Sequence, residues 1–499
     1  MSNNCFSTLN GYEVKDTYAR EKVIENAQAI ADVIPYIEQM MDSAGKVPFT
    51  VYPEQYGAVG DGVNDDTDAI NAALAENLSV SLMPGKVYAI DGEKTVTIPA
   101  NGSIYGNGAT LKVIPNSAQI YTGIFMGGSN SRMENLVLLG ERNEHTGEGG
   151  EWGHGLSIGG NADGVVVRDC TIRDFWGDGI YANQCSNVFI ENVVVDNSRR
   201  NGISVIAAKD FRCVDCLFIN TNGTAPQSGI SVEANYETDV TQGILFERCK
   251  SINSVGDNGF YATVRASDSD VTFRNCYSDK GFSLTSLSGE RNHFEVIGCN
   301  VIASSGLGMV NTQLSSLTDS IKIDGCVIDG SKGAVCIVRQ LGHLLNTEIT
   351  NTKLINGTFG RRVLWLGDRS SGKNNFFDIK TENVSFSEIN TPLMYGDLNT
   401  MIMRAENKTP YDVSGLTVST MEINNVITKG TANTVAVHFT SVHPGTIYRV
   451  TNLSGVSVKI QFESCFMNGA NTTNTPDLPN LATMYFSAPT SGRVSCWIA

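Results

Sequence analysis

Glu151, Asp174, Asp178 and Glu233 are the carboxylates of this chain whose surroundings suit acid–base chemistry. Glu151 stands with Trp152 and His154 just before Gly155, and Asp174 stands with Trp176 and Asp178 just before Gly179. Arg199 and Arg200 hold the matching place before Gly202. Hydrolysis of a glycosidic bond needs two carboxyl groups roughly 5–9.5 Å apart, one of them often kept protonated. Arginines beside such a pair orient an oxygen-rich substrate through charged hydrogen bonds. Trp152, Trp176, Tyr181 and Tyr261 supply rings on which sugars stack. A second group, Glu233, Tyr236, Tyr261 and Arg265, with Asp257 and Gln227 on preceding turns, reads as a binding wall or half of an active site. The plain alternative is a surface ion-pair ladder, with Asp178 and Asn201 closing turns and the tyrosines packed over a strand.

The elements that position these residues announce themselves by repetition. Gly155-Leu-Ser-Ile, Gly179-Ile-Tyr-Ala, Gly202-Ile-Ser-Val, Gly229-Ile-Ser-Val and Gly259-Phe-Tyr-Ala return at 23 to 30 residues, and weaker copies follow at Gly281, Gly306 and Gly333. A short strand with glycine and asparagine turns, repeated at that length, marks a solenoid whose coils share one core. Period-2 alternation sends the apolar residues inward and Ser157, Tyr181, Ser204, Ser231 and Tyr261 outward. Strands in adjacent coils lie about 4.8 Å apart, so Glu151 and Asp174 are expected as a pair and Asp178 beside Arg200. Counting backbone steps puts Asp178 and Glu233 about 19 Å apart. They then cannot flank one bond within one chain, although a trimer would bring the two groups together across a subunit groove.

Cys170, Cys216, Cys249, Cys276, Cys299 and Cys326 form a second ladder, each after a polar residue or glycine, with Val193 at the missing rung. Their even spread lacks zinc spacing, and Cys213-x-x-Cys216 has no second CxxC to answer it. Buried free thiols filling the core are expected. The chain has 499 residues, is 41% apolar and carries a net charge of −16. No basic stripe points to nucleic acid, no apolar run is long enough to span a membrane, and the first ten residues do not read as a secretory signal. No metalloprotease, nucleophile-elbow, phosphate-loop or dinucleotide motif occurs, so neither cofactor nor metal is expected.

Residues 1–50 read as an N-terminal arm followed by a helix over 16–44. Val23, Ala27, Ile30, Ile34, Ile37 and Met41 make a heptad seam, interrupted by Pro35, that favours self-association. Residues 51–400 are the solenoid, 401–429 a connector, and 430–499 a small antiparallel β-sandwich. In Tyr56-Gly-Ala-Val-Gly-Asp-Gly-Val-Asn-Asp-Asp-Thr-Asp-Ala-Ile70 a strand and a glycine turn lead into a helix. Asp65, Asp66 and Thr67 are placed to cap that helix, which would plug the end of the solenoid. A calcium loop is the sharper alternative, but the EF-hand spacing and closing Glu are missing.

That phrase resembles the entry motif of the pectate-lyase-like right-handed β-helix superfamily, especially its bacteriophage tailspike and depolymerase branch. Residues 11–20 are similar to phage tail-protein N-termini. The block from Gly177 through Arg199, Arg200 and Gln227 to Glu233 resembles one that recurs in glycan-active β-helix proteins. There the last strand commonly reads GIDIE, and Ser231 replaces its first acid here. The resemblance implies an all-β, right-handed parallel β-helix with an N-terminal helical oligomerisation segment. It implies a homotrimeric tailspike that binds and endo-hydrolyses a bacterial capsule or O-antigen and is joined to other tail or baseplate proteins through its N-terminus. Such a spike is assembled in the host cytoplasm and acts outside the cell. Asp174 or Asp178 would be the general acid, with the other, Glu151 or Glu233 as base or nucleophile. A uronate lyase or C5-epimerase using Arg199, Arg200, His154 and Tyr181, or a non-catalytic receptor-binding spike, are the rival expectations.

Overall fold

The structure, a computed structural model, describes residues 51–302 apart from Asp257, then 319–332 and 344–356. Elsewhere it describes only the backbone of separate strands, out to Arg493–Ile498. The heptad seam of residues 23–41 and the arm before it lie outside the described residues.

Parallel pairing between coils builds the molecule. One ladder runs Leu156, Ile180, Ile203, Ile230, Phe260, Phe282, each residue directly beside the next. A second runs Leu138, Ile172, Val195, Phe218. These residues are fully buried, and so are Phe211, Phe246, Phe273 and Phe294. Like residues stack because every coil presents the same inward position at the strand spacing. The outward column Ser157, Tyr181, Ser204, Ser231, Tyr261 has the expected register.

Turns hold the register through left-handed residues. Asp169, Asn192, Asp215, Arg248 and Asn275 all have φ between 53° and 54°, and each directly precedes a member of the cysteine–valine ladder. A second left-handed column is Asp174, Asn197, Asn220 and Asn253. Asn and Asp tolerate that conformation because their short polar side chains bond locally. Asn197 Nδ2 donates to Asp174 Oδ1 at 2.6 Å, and Asn253 Nδ2 donates to Asn220 Oδ1 at 2.7 Å. Gly140 is obligatory for the same turn, since a Cβ there would stand 2.2 Å from the Asp174 carbonyl oxygen.

The helix Thr67–Asn77 buries Ile70, Ala73 and Leu74 and packs against the strands Ser79–Ser81 and Val96–Ile98. Its capping differs in detail from the expected one. Asp65 accepts from the Thr67 N–H at 3.0 Å, but Asp66 turns back to the N–H groups of Val59 and Gly60. The Thr67 hydroxyl accepts from the Asp91 N–H, tying the helix to the first coil. Among the described residues no helix is long and apolar enough to cross a membrane.

Parallel pairing continues in the strand backbones past residue 400, with Asn375–Glu382 beside Met401–Asn407. Strands between Tyr411 and Ile498 fall into a five-stranded and a four-stranded sheet, with antiparallel pairs among the last of them. Their packing, and hence the expected sandwich, lies outside the described residues.

Candidate active site

Arg200 is the centre of the site. It lies in the turn before the strand Ile203–Val214, where three coils bring their turns together. Its Nη1 lies 3.1 Å from Asp178 Oδ2, its Nη2 3.3 Å from Glu233 Oε2 and its Nε 3.4 Å from Glu151 Oε2. Burial works against the Arg200 charge, but Asp178, Glu233 and Glu151 together raise its pKa. Contacts of 3.4 and 3.3 Å to one planar guanidinium hold the Glu151 and Glu233 carboxylates within roughly 9 Å of each other. Asp178 and Glu233 lie equally close, which corrects the 19 Å separation counted from the sequence. Backbone steps omit side-chain reach, and the long arm of Arg200 bridges the gap.

Asp178 is not positioned to touch a substrate. Its side chain is 0% exposed, and its carboxylate accepts from the Asn201 N–H at 2.9 Å as well as from Arg200. Burial raises its pKa to about 6 against the opposing pull of Arg200. Asp178 is therefore the buried anchor of Arg200 rather than the general acid expected from its place in the motif. Asn201 closes the turn, as the plainer reading had it, with its side chain bonded to Ser204 and to the Ser228 N–H. Asp174 is also displaced from the expected role. It begins the asparagine column, bonded to Asn197, and among the described residues no contact joins it to Glu151.

The two tryptophans separate in function. Trp176 is stacked on His145 with centroids 4.1 Å apart, and the Arg199 guanidinium lies 4.1 Å from its ring. Both partners lie against its ring. Its Nε1 donates to the Gly149 carbonyl at 2.7 Å, and Arg199 donates to the Gly150 carbonyl. Both thus hold the loop that delivers Glu151, instead of binding glycan as expected. Behind them lies a network that sequence reasoning missed. Glu141 pairs with His145 Nδ1 at 3.0 Å and bonds to Tyr121, whose hydroxyl accepts from the Trp176 N–H. The signal was present as a Glu–His pair four residues apart in the loop before Trp152.

Trp152 remains 47% exposed and meets Tyr181 edge-on at 6.0 Å. His154 stacks on Tyr181 at 4.5 Å with an interplanar angle of 7°. Its Nδ1 accepts from the Asp178 N–H at 3.2 Å, which places the proton on Nε2. Burial first, and then Arg200, lowers its pKa to about 3, so the ring is neutral. Burial also raises the Tyr181 pKa.

Tyr236 is 71% exposed, in a loop that Asp239 closes by accepting from the N–H groups of Asn235 and Tyr236. Arg265 donates through Nε to the Ala234 carbonyl. Gln227 and Tyr261 line a depression of about 350 Å³ together with Ser228, Val255 and Asn258. Gln227 also accepts from the Gly223 N–H, so it shapes its own loop. Asp257 lies outside the described residues.

The described cysteines are free and buried. The Cys213, Cys216 and Cys249 sulfurs lie within 4.8 Å of one another, so the CxxC finds its third sulfur in the next coil, a meeting that linear spacing hides. Burial pushes the Cys213 thiol well above its usual pKa, and Cys216 and Cys249 place their sulfurs on the Val214 and Cys213 carbonyls. All three are buried core thiols.

Among curated proteins the chain is similar to the uncharacterized protein YclG of Bacillus subtilis (strain 168). The two are 31% identical over 233 residues, 38% of this chain and 39% of that one. It is 26% identical over 267 residues to the mannuronan C5-epimerase AlgE5 of Azotobacter vinelandii, 44% of this chain and 26% of that one. The chain thus spans well under half the length of these relatives. Among solved structures, the catalytic domain of a GH87 α-1,3-glucanase in complex with tetrasaccharides matches with a TM-score of 0.54 at 12% identity. That match covers 71% of this chain and 69% of the glucanase, and it is a likeness of fold. The profile of the right-handed β-helix region matches residues 103–277 and 154–377, over half of the chain. With the parallel ladders that these residues form, the protein belongs to the right-handed β-helix family.

Proposed function

We propose that this protein is a polysaccharide-cleaving enzyme that hydrolyses glycosidic bonds at the Arg200 cluster. The observation that carries this reading is the placement of Glu151 and Glu233 on one guanidinium, within roughly 9 Å of each other, beside an exposed tryptophan. Glu233, the less exposed carboxyl, gives its proton to the leaving oxygen as the glycosidic C–O bond breaks. Glu151, more exposed, takes a proton from the water that attacks the sugar carbon. Arg200 orients both, and Asp178 and the asparagine turn fix Arg200. Trp152 and Tyr236 offer ring faces to flanking sugars.

The test is cleavage of purified capsules and lipopolysaccharides, read as new reducing ends. Glu151→Gln and Glu233→Gln should each lower the rate on the order of 10²–10⁴-fold, with the fold unchanged by circular dichroism. Full activity in both variants would refute the assignment, and tight glycan binding without product would leave a receptor-binding spike.

The finer reading is a bacteriophage tailspike that acts on a bacterial surface polysaccharide from the virion tail and joins other tail proteins through its N-terminus. It is supported by the motif at residues 56–70, the arm at 11–20 and the heptad seam at 23–41. It expects a trimer in light scattering at micromolar concentration, and a monomer would sink it. The similarity to a mannuronan C5-epimerase favours a second reading, in which a uronate glycan is epimerised or cleaved by elimination.

A further inference from the structure

We infer that the groove at Arg200 takes a glycan that is neutral or carries amino groups at the reacting sugars, and excludes a uronate. The inference rests on the reading of the Arg200 cluster as the site of cleavage, and it decides between hydrolysis and the uronate chemistry set beside it.

Three carboxylates, those of Glu151, Asp178 and Glu233, surround one guanidinium. A uronate carboxylate in this groove would add a further negative charge beside them. Elimination or epimerisation beside a uronate carboxylate requires a cation or strong donor to neutralise that group while the adjacent C–H proton is removed. Within the Arg200 cluster, the residues suited to this by type already face acidic, carbonyl or amide groups. Arg200 is ion-paired with Glu151, Asp178 and Glu233, and its Nη1 also reaches Ser204, while Nε has no hydrogen-bond partner. Arg199 lies over Trp176 and donates to the Gly150 carbonyl. Arg142 is bound by Asn197 and Asn222. His154 is uncharged, and its Nδ1 is an acceptor.

What the same face does offer is neutral. His154 is 5% exposed and Ser231 0% exposed, and His154 Nε2 and the Ser231 hydroxyl have no hydrogen-bond partner. Ser231 stands in the outward column between Ser204 and Tyr261, and His154 stacks on Tyr181 of that column. The exposed Trp152 and Tyr236 rings match uncharged sugar faces. Repulsion by the acidic cluster supplies the discrimination against the acidic analogue.

The experiment uses the full chain and matched glycan pairs: polygalacturonate, alginate and hyaluronan, each beside its carboxyl-reduced counterpart, with chitosan oligosaccharides added. Affinity electrophoresis reads binding, and reducing-end and ultraviolet assays read products. The reduced members and chitosan should be held at least on the order of tenfold more tightly than the acidic members at low salt. Glu151→Gln should narrow that gap by removing the negative charge of the base. Acidic members that rank equal to or above their reduced partners, a panel without any difference, or an unsaturated uronate product would each overturn the inference. Arg265→Ala then reports whether a bound uronate is held at Arg265. Failure of the hydrolytic reading looks different: a charge preference persists, but no glycan gains reducing ends.

Discussion

Asp178 and His154 make the site's pH behaviour a balance of two buried groups. Asp178 has a folded-state pKa of about 6 against a normal 3.8, because burial penalises its charge. The folded chain therefore binds this proton more tightly than the unfolded chain. The resulting stability is full below about pH 4 and fades as pH rises through about 6. His154 runs the other way, with a folded value of about 3 against 6.5. Its contribution is full above about pH 6.5 and is lost as pH falls. The two slopes oppose each other between about pH 4 and 6. Asp178→Asn removes one of them. Urea denaturation of both proteins from pH 4 to 6.5 should show the variant gaining on the native chain as pH rises, by on the order of 3 kcal/mol across the window. A constant difference would mean that Asp178 does not titrate there. At this scale the sequence was legible in composition but not in role. The offsets before Gly155, Gly179 and Gly202 located Glu151, Asp178 and Arg200 in one turn column. Which carboxylate faces solvent depends on side-chain direction and burial, and Asp178 is hidden by its neighbours. Trp176 likewise read as a platform because its partner His145 sits on a loop outside the repeat.

At the scale of elements, the turns are what convert a repeated strand into a site. Asp174, Asn197, Asn220 and Asn253 occupy equivalent left-handed positions, with Asn197 bonded to Asp174 and Asn253 to Asn220 across coils, while Asn220 donates to Asp196. This gives Asp174 a structural explanation that competes directly with a catalytic one. Asp174→Asn places in the first rung the residue type that fills the next three, so it should keep activity and change stability by less than about 1 kcal/mol. Asn197→Val puts a β-branched residue at φ 57° and should cost about 1–2 kcal/mol or more. Thermal melting measures both, and cleavage per folded molecule should survive in both. Loss of cleavage in Asp174→Asn with an unchanged melting curve would return that residue to the chemistry. The strand register, the outward column and the cysteine ladder could all be read from period-2 alternation and recurring glycines. Helix capping was legible only in part. Asp65, Asp66 and Thr67 share one short segment, and only the path of the chain decides that Asp66 folds back to Val59 and Gly60 while Asp65 caps the helix.

The described coils form a stack in which each pairs with its neighbours, so their stability is close to a sum of local coil and interface terms. The cysteine ladder is a built-in reporter of how cooperatively that stack opens. Cys170, Cys216, Cys249, Cys276, Cys299 and Cys326 occupy equivalent places in their coils, with Val193 on the rung between the first two, and are at most 2% exposed. Thiolate, not thiol, attacks a labelling reagent, and burial pushes the Cys170 thiol up to about 12. Reactivity thus requires a coil to open. In the native protein, a thiol reagent should leave these six unmodified over hours, and mass spectrometry should find no disulfide among them. In increasing denaturant two outcomes separate two physical pictures. If the coils unfold together, all six become labelled over one narrow range of concentration. If neighbour coupling is weak, Cys326 or Cys170 reacts first and the others follow in chain order. The shared ladders and the continuous phenylalanine core from Phe211 to Phe294 favour the first outcome for the coils around Arg200. Glu151, Asp178, Arg200 and Glu233 come from four coils, so labelling of Cys216 and Cys249 should coincide with loss of cleavage. Labelling of that pair in a fully active protein would show that these coils open without disturbing the site, and would break the link drawn here between the core ladder and the groove.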